Sequence, residues 1–187
     1  MKRKQFNIFK NLPTFETKRL FLKKITKECV DDVWEYRSDP AVSRYLLWSP
    51  DKDKLHTETY LQYLQELYDK GKFYDFGIFL KENGKMIGTV GFTTIDLHKN
   101  EASVGYVLNS KYWGQGIATE ALERIIEFGF SELEFDSLFA RLMEENTASK
   151  RVLEKCGFSF SSFESKFINL KGRMEKIAIY SRKRISP

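Results

Sequence analysis

Val104-Gly-Tyr-Val-Leu-Asn-Ser-Lys-Tyr-Trp-Gly-Gln-Gly-Ile-Ala-Thr-Glu-Ala-Leu122 changes its periodicity midway, and that change decides the fold. Val104 to Leu108 is a short β-branched and aromatic run that reads as a strand, and the turn formers Asn109 and Ser110 follow it. From Ile117 the apolar spacing becomes helical. Ala118, Ala121, Leu122, Ile125 and Phe128/Gly129 share one face, and Thr119, Glu120, Glu123, Arg124 and Glu127 share the other. Gly114 and Gly116 therefore stand where the helix begins. The first N–H groups of a helix lack internal partners and carry the positive end of its dipole, so backbone alone can bind an anion there. Glycine keeps that approach clear of side chains. A glycine-bearing strand-to-helix turn without a ligand fits the same short pattern, which by itself is a weak signal.

Three stretches together carry a resemblance. Trp113-Gly-Gln-Gly-Ile-Ala118 resembles the pyrophosphate loop of the GNAT acetyltransferase superfamily, Q/R-x-x-G-x-G/A, with Gly116 and Ala118 matching and Trp113 replacing the usual Gln or Arg. Phe15-Glu-Thr-Lys-Arg-Leu-Phe-Leu22 is similar to the opening strand of the RimJ/RimL-type branch, which acetylates ribosomal-protein N-termini. Asn146-Thr-Ala-Ser-Lys-Arg-Val-Leu-Glu-Lys-Cys-Gly-Phe158 is similar to its late helix and turn. The similarity runs in order from about Phe15 to Tyr180. It implies an α/β (α+β) single-domain acyl-CoA N-acyltransferase fold, a mixed and mostly antiparallel sheet flanked by helices, with acetyl-CoA as cosubstrate.

Composition agrees with a single domain. The 187 residues are 42% hydrophobic and 30% charged, ordinary for a globular chain. No apolar run approaches the roughly 20 residues that span a bilayer, and Met1-Lys-Arg-Lys-Gln-Phe lacks the apolar core of a signal peptide, which argues for a cytoplasmic protein without membrane association. Cys29 and Cys156 fall on helical faces and read as buried thiols in a reducing compartment. The net charge of +5 draws on Lys2-Arg-Lys4, Lys18 to Lys24 and Arg182-Lys-Arg184, and would help attract coenzyme phosphates. No basic stripe interleaved with aromatics points to nucleic acid.

In chain order, residues 1–13 read as a tail or loosely attached arm and 14–187 as the domain. Arg19 to Ile25 alternates as a first strand, and Thr26 is placed as the cap of a helix ending near Ser38. Asp39-Pro40 starts a short helix that includes Val42, Tyr45 and Leu46. A longer helix spans Lys54 to Lys70 with Gly71 as its stop. Phe73 to Leu80 and Met86 to Ile95 are strands joined at Asn83-Gly84, and Glu101 to Leu108 completes a meander. Ser137 to Met143 is a strand, Thr147 to Cys156 a helix, and Phe158 to Phe163 and Met174 to Ser181 a final strand pair around Lys171-Gly172.

Acetyl transfer from a thioester to an amine needs a held cofactor, a neutral amine and a proton for the departing thiolate. For the cofactor, the resemblance implies the splayed strand end Tyr106, Val107 and Leu108, running on to Asn109, and the amides of Trp113, Gly114, Gln115, Gly116, Ile117 and Ala118, with Thr119 beside them. It also implies Asn146 as a contact to the pantetheine arm and Ser149 as the group beside the sulfur. Many relatives use a tyrosine where Leu153 stands, and leucine donates no proton. Asn146 is equally a natural helix cap and Ser149 an ordinary first-turn residue.

For the amine, an α-amino group with a pKa of about 7.7–8.0 is roughly a tenth neutral at pH 7, so a weak base suffices. Glu101 and Ser103 share a strand face. Relatives often have Glu at the Ser103 position, and Glu101 lies about 6–7 Å earlier along the strand. Glu101 is therefore the candidate base, and a solvated edge carboxylate is its ordinary alternative. The branch's Asp on the last strand is Lys176 here, with Glu175 adjacent. His56 and His98 are isolated, so no metal is assigned. Tyr45, Trp48 and Tyr112 are candidate acceptor-pocket aromatics. The resemblance favours a protein N-terminal amine as acceptor, possibly of a ribosomal protein. A small-molecule amine is the rival, and it would call for acids such as Asp51, Asp53, Glu58 and Glu66 to converge. A binding module without transfer activity is the other rival, and the chain would act as a monomer or homodimer.

Overall fold

The computed structural model describes residues 9, 11–72, 74–164, 168–170 and 173–185; the side chains of 168–170 and 173–174 are not described. The basic cluster Lys2-Arg-Lys4, the Phe73 strand start and the Lys171-Gly172 turn lie outside the described residues. One sheet runs in the order β1-β2-β3-β4-β5-β6-β10-β7. Its strands are β1 Phe15–Glu16, β2 Leu20–Lys23, β3 Asp75–Leu80, β4 Met86–Asp96, β5 Glu101–Leu108, β6 Ser137–Met143, β7 Ser159–Phe163 and β10 Ile177–Lys183. All neighbours are antiparallel except β5 and β6. β8 Ile168–Leu170 and β9 Arg173–Glu175 form a separate hairpin.

Helices cover both faces. α4, Ile117–Glu127, lays Ile117, Ala121, Leu122 and Ile125 over Leu20, Leu22, Phe76, Ile78 and Val104. Leu153 and Cys156 from the stretch of α5, Thr147–Lys155, and the residue after it join the same core. On the opposite face, α1 Val30–Arg37 and α3 Lys54–Asp69 pack Val33, Tyr36, Leu61, Leu64 and Tyr68 over Phe79 and Met86. α2 Pro40–Ser43 lies between them in sequence. β4 is buried on both faces from Met86 to Phe92, which explains its almost unbroken apolar reading.

β5 and β6 have the bounds expected from sequence, and Asn83-Gly84 makes the β3–β4 turn with Gly84 at φ +73°. Four expectations are corrected. The turn Lys27–Cys29 is 3-10 and Thr26 makes no side-chain cap bond; its hydroxyl lies beside Cys29 Sγ instead. The Asp39-Pro40 helix is capped as expected, Asp39 accepting from the Ala41 amide at 2.8 Å, but it ends at Ser43, before Tyr45 and Leu46. The final strand breaks at Lys176, so Arg173–Glu175 serves β8 and only Ile177 onward enters the main sheet.

The fourth concerns the N-terminal arm. Phe9 is 2% exposed and meets Tyr74, Phe92 and Phe128, within an aromatic cluster that continues to Phe15 and Phe76. A loose arm would leave that ring in water. Phe9→Ala should therefore lower unfolding free energy by about 3 kcal/mol; urea denaturation that leaves the midpoint in place would return residue 9 to the tail.

Candidate active site

β5 keeps its pairing to β4 as far as Leu108, but its parallel pairing to β6 covers only Glu101↔Ser137, Ala102↔Leu138 and Ser103↔Phe139. Beyond Ser103 the two strands part, the splay that the resemblance implied. Val104–Leu108 thus offers backbone donors and acceptors along one side of a gap. Tyr106 reaches across to α5: its hydroxyl is 2.6 Å from Ser149 Oγ and 3.1 Å from Ser149 O. Asn146 caps α5 by accepting from the Ser149 amide at 3.1 Å, so its ordinary structural role is filled.

The gap leads to the glycine turn. Gly114 and Gly116 both take left-handed φ, +74° and +75°, which glycine adopts without strain. An added Cβ at Gly114 would meet nothing within 4 Å, and at Gly116 only Arg19 Nη2 at 3.7 Å. Backbone conformation, together with open space in front of the turn, is what selects glycine here. Trp113 is the exception among the expected donors, since its amide is spent on Ser110 O at 3.2 Å while its indole donates to Leu108 O at 2.8 Å. Among the described residues the amides of Gly114, Gln115 and Gly116 have no protein acceptor. Ile117, Ala118 and Thr119 follow as the first turn of α4, with Gly116 in the cap position. The turn fits an anionic group.

The turn is braced from three sides. Arg19 Nη1 donates to Gln115 O at 2.9 Å, and its Nε and amide hold Glu120 at 2.7 and 2.8 Å, where Thr17 Oγ1 adds a bond of 2.6 Å. Burial of Glu120 opposes ionisation, but the Thr17 and Arg19 bonds outweigh it and keep the carboxyl below its usual range. Ser110 Oγ donates to Asp39 Oδ2 at 2.6 Å. Lys111 Nζ donates to Glu35 at 2.6 Å; with Lys85 on the other oxygen, it pulls Glu35 down to about 2.

On the α1–α3 face, Ser103 accepts from Arg141 Nη1 at 2.9 Å, and Arg141 Nε bonds Glu164 at 2.6 Å. Glu101 stands half-buried at the closed end of the splay, making no hydrogen bond or ion pair with the described residues. Lys176 pairs with Glu144 at 3.0 Å and lies over Phe163. Asp51 is bound by Arg37 through two bonds of 2.8 and 2.9 Å, Asp53 by His56, and Glu66 by Lys70, so three of the four acids of the small-molecule reading are engaged separately. Trp48 stacks on Arg37, Tyr45 on Arg44, and Tyr112 packs against the large core. Cys29 and Cys156 are free and buried, and no group of metal-ligating side chains occurs among the described residues.

Sequence reasoning passed over Arg19, Arg141–Glu164 and Asp75. Arg19 sat in a quoted motif, but nothing local tied it to residues a hundred positions away. Arg141 interrupts an apolar strand, a detectable sign. Asp75 gave less: an acid entering the strand Asp75-Phe-Gly-Ile-Phe-Leu80 reads as a turn residue. Its Oδ1 is enclosed and unpartnered, and burial pushes its carboxyl up to about 7.

A parted strand ending at an amide-lined turn defines a class, the acyl-coenzyme-dependent transferases. Residues 19–159 match the Acetyltransferase (GNAT) domain family, and the chain belongs to it. It is 32% identical over 170 residues to the uncharacterized N-acetyltransferase p20 of Bacillus licheniformis, covering 91% of this chain and 96% of that protein. Identity to the ribosomal protein uS5 alanine N-acetyltransferase of Escherichia coli is 24% over 150 residues, covering 76% of this chain and 77% of that one. A solved RimL, a ribosomal alpha-N-protein acetyltransferase in complex with coenzyme A, has the same fold, with a TM-score of 0.79 at 19% identity over 92% of this chain and 98% of that chain. The protein is an acetyl-CoA-dependent N-acetyltransferase. No described helix is long and apolar enough to cross a membrane.

Asp75 also sets a pH dependence. Between about pH 4 and 7 the folded state holds its proton while the unfolded state, with a carboxyl near 3.9, has lost it, so this group's contribution to stability falls as pH rises and levels off above 7. Asp75→Asn removes that loss. Its melting temperature should exceed the parent's by several degrees at pH 8 and by little at pH 4, read by calorimetry at both pH values.

Proposed function

We propose that the chain acetylates protein N-terminal α-amines, with residues 14–187 as the transferase unit and Phe9 packed into its core. The observation that carries this reading is the braced turn, with the free amides of Gly114, Gln115 and Gly116 at the end of a parted strand. A relative that acts on the alanine of ribosomal protein uS5 supports the choice of acceptor. So does the absence, at the Ser103 position, of the carboxylate that relatives often place there, because an amine already partly neutral asks little of a base.

Acetyl-CoA supplies the acetyl group as a thioester. In the proposed site the turn amides, with Ile117, Ala118 and Thr119, bind the pyrophosphate, and the strand edge Tyr106, Val107 and Leu108 orients the pantetheine arm beside Asn146. Ser149 Oγ donates its proton to the departing sulfur. Tyr106, its hydroxyl held neutral by burial, gives up its bond to Ser149 O and turns its one hydrogen to Ser149 Oγ, which leaves the serine's hydrogen free to point at the thiolate. Glu101 receives the amine's proton through water at the closed end of the splay.

Gly116→Glu tests the turn. The space in front of Gly116 lets the variant fold at a cost of about 1–2 kcal/mol for left-handed φ. The loss of two charged hydrogen bonds should weaken acetyl-CoA binding by roughly 100-fold. Calorimetry returning unchanged affinity in a folded variant removes the pyrophosphate role. Tyr106→Phe and Ser149→Ala should each lower kcat about tenfold or more with little change in KM for acetyl-CoA, and the double variant should lose scarcely more than either. Additive losses would mean that the two hydroxyls act independently. Mass spectrometry of N-terminal peptides and free amines incubated with acetyl-CoA decides the acceptor: products on free amines alone refute the α-amine reading, and binding without product refutes transfer.

A further inference from the structure

Three buried side-chain polar atoms among the described residues lack a hydrogen-bond partner: Arg124 Nη1, Asn109 Nδ2 and Asp75 Oδ1. The first belongs to a guanidinium that bonds Glu132 and stacks on Phe15, and the second lies close enough to Glu35 to help hold that carboxyl down. Asp75 has no such compensation. Tyr36 from α1 and Tyr60 and Tyr68 from α3 lie close enough to Asp75 to feel its charge. Arg37, the cation beside Tyr36 and Tyr60, is committed to Asp51 by two bonds and stacks on Trp48 and Tyr60, and it makes no bond to Asp75. An enclosed carboxylate without a countercharge is costly unless a ligand provides one.

The register shows where that ligand would lie. Asp75 pairs with Gly91, and Gly91 with Gly105, so the three stand in one row on the α1–α3 face of the sheet. Opposed residues project to the same face; the two glycines carry no side chains, and the Thr93 methyl stands over Gly105, where a Cβ would meet its Cγ2 at 2.6 Å. A Cβ at Gly91 would sit 2.6 Å from Asp75 Oδ1, so any side chain there would collide with the carboxylate. Two strand spacings separate Asp75 from Gly105, roughly 10 Å.

Resting on the transferase reading above, we propose that Asp75 binds a second cationic group of the amine acceptor, an ammonium or guanidinium held about two strand spacings from the splay. The Tyr36 and Tyr60 hydroxyls, kept neutral by burial, are its polar surroundings. The site then selects acceptors bearing two positive charges, and does so on a chain whose net charge of +5 would otherwise repel them. A lysine side chain near a peptide N-terminus and the far end of a diamine supply the same chemistry.

Two probe pairs, each offered to the protein saturated with coenzyme A, test the site by calorimetry at pH 8 and pH 6. One compares the peptide Ala-Ala-Lys-Ala with its norleucine counterpart, and the other compares 1,5-diaminopentane with pentylamine. The cationic member of at least one pair should bind about tenfold or more tightly at pH 8. That preference should shrink at pH 6, where Asp75 gains its proton, and vanish in Asp75→Asn and Asp75→Ser while coenzyme A affinity holds. The pair that responds names the source of the cation. Equal affinity within both pairs for the parent protein, or a preference that survives in either folded variant, overturns the proposal. A preference that holds while no acetyl product forms would refute transfer but leave the cation site standing.

Discussion

The site depends on the early end of one strand pairing. β5 stays bonded to β4 through Leu108 but releases β6 after Ser103, while β6 remains bonded to β10 along its whole length. An unpaired edge inside a sheet is unfavourable unless something else satisfies it. The fold keeps that edge open as a gap beside α5. Everything else is positioned from the gap: the turn at the far end of β5, α4 leaving that turn, α5 across the opening, and the Ser103–Arg141–Glu164 contacts at its closed end.

Charge is distributed around the gap with little left over. Glu35, Asp39 and Glu120 each hold a residue of the turn or its brace, so these acids shape a surface meant for an anion without facing it. Their partners Lys111 and Arg19 keep the local balance positive. On the α1–α3 face of the sheet, Asp75 of β3 is an enclosed carboxylate to which the described residues supply no countercharge, and it is the proposed seat of the acceptor's second cation. The end of β5 and the start of β3 thus carry opposite electrostatic demands.

Most of this architecture was legible because the deciding signals are local. The switch of period at Ile117, the Asn83-Gly84 turn, and the bounds of β5 and β6 follow from neighbouring residues alone. Gly114 and Gly116 stood out for the right reason, although backbone handedness constrains them more than crowding does. What stayed hidden was long range. The burial of Phe9 needs Tyr74, Phe92 and Phe128 to be assembled first, and the break at Lys176 shows only once Arg173–Glu175 is paired with β8 and Ile177 onward with the main sheet. Tyr106 was read only for its backbone, because nothing in a strand sequence shows that its ring points at a helix 43 residues onward.

The Arg19–Glu120 bond has a consequence in time. Its partners are 101 residues apart, so the emerging chain lays down its second strand long before the acid that will anchor Arg19 exists. Closing so wide a loop is slow compared with winding α4 itself. The helix and its glycine turn can form early, yet their final setting waits for the amino-terminal edge of the sheet to dock. Assembly therefore completes the bracing of the glycine turn among its last events, and a half-built molecule presents a helix whose first turn is not yet held in place.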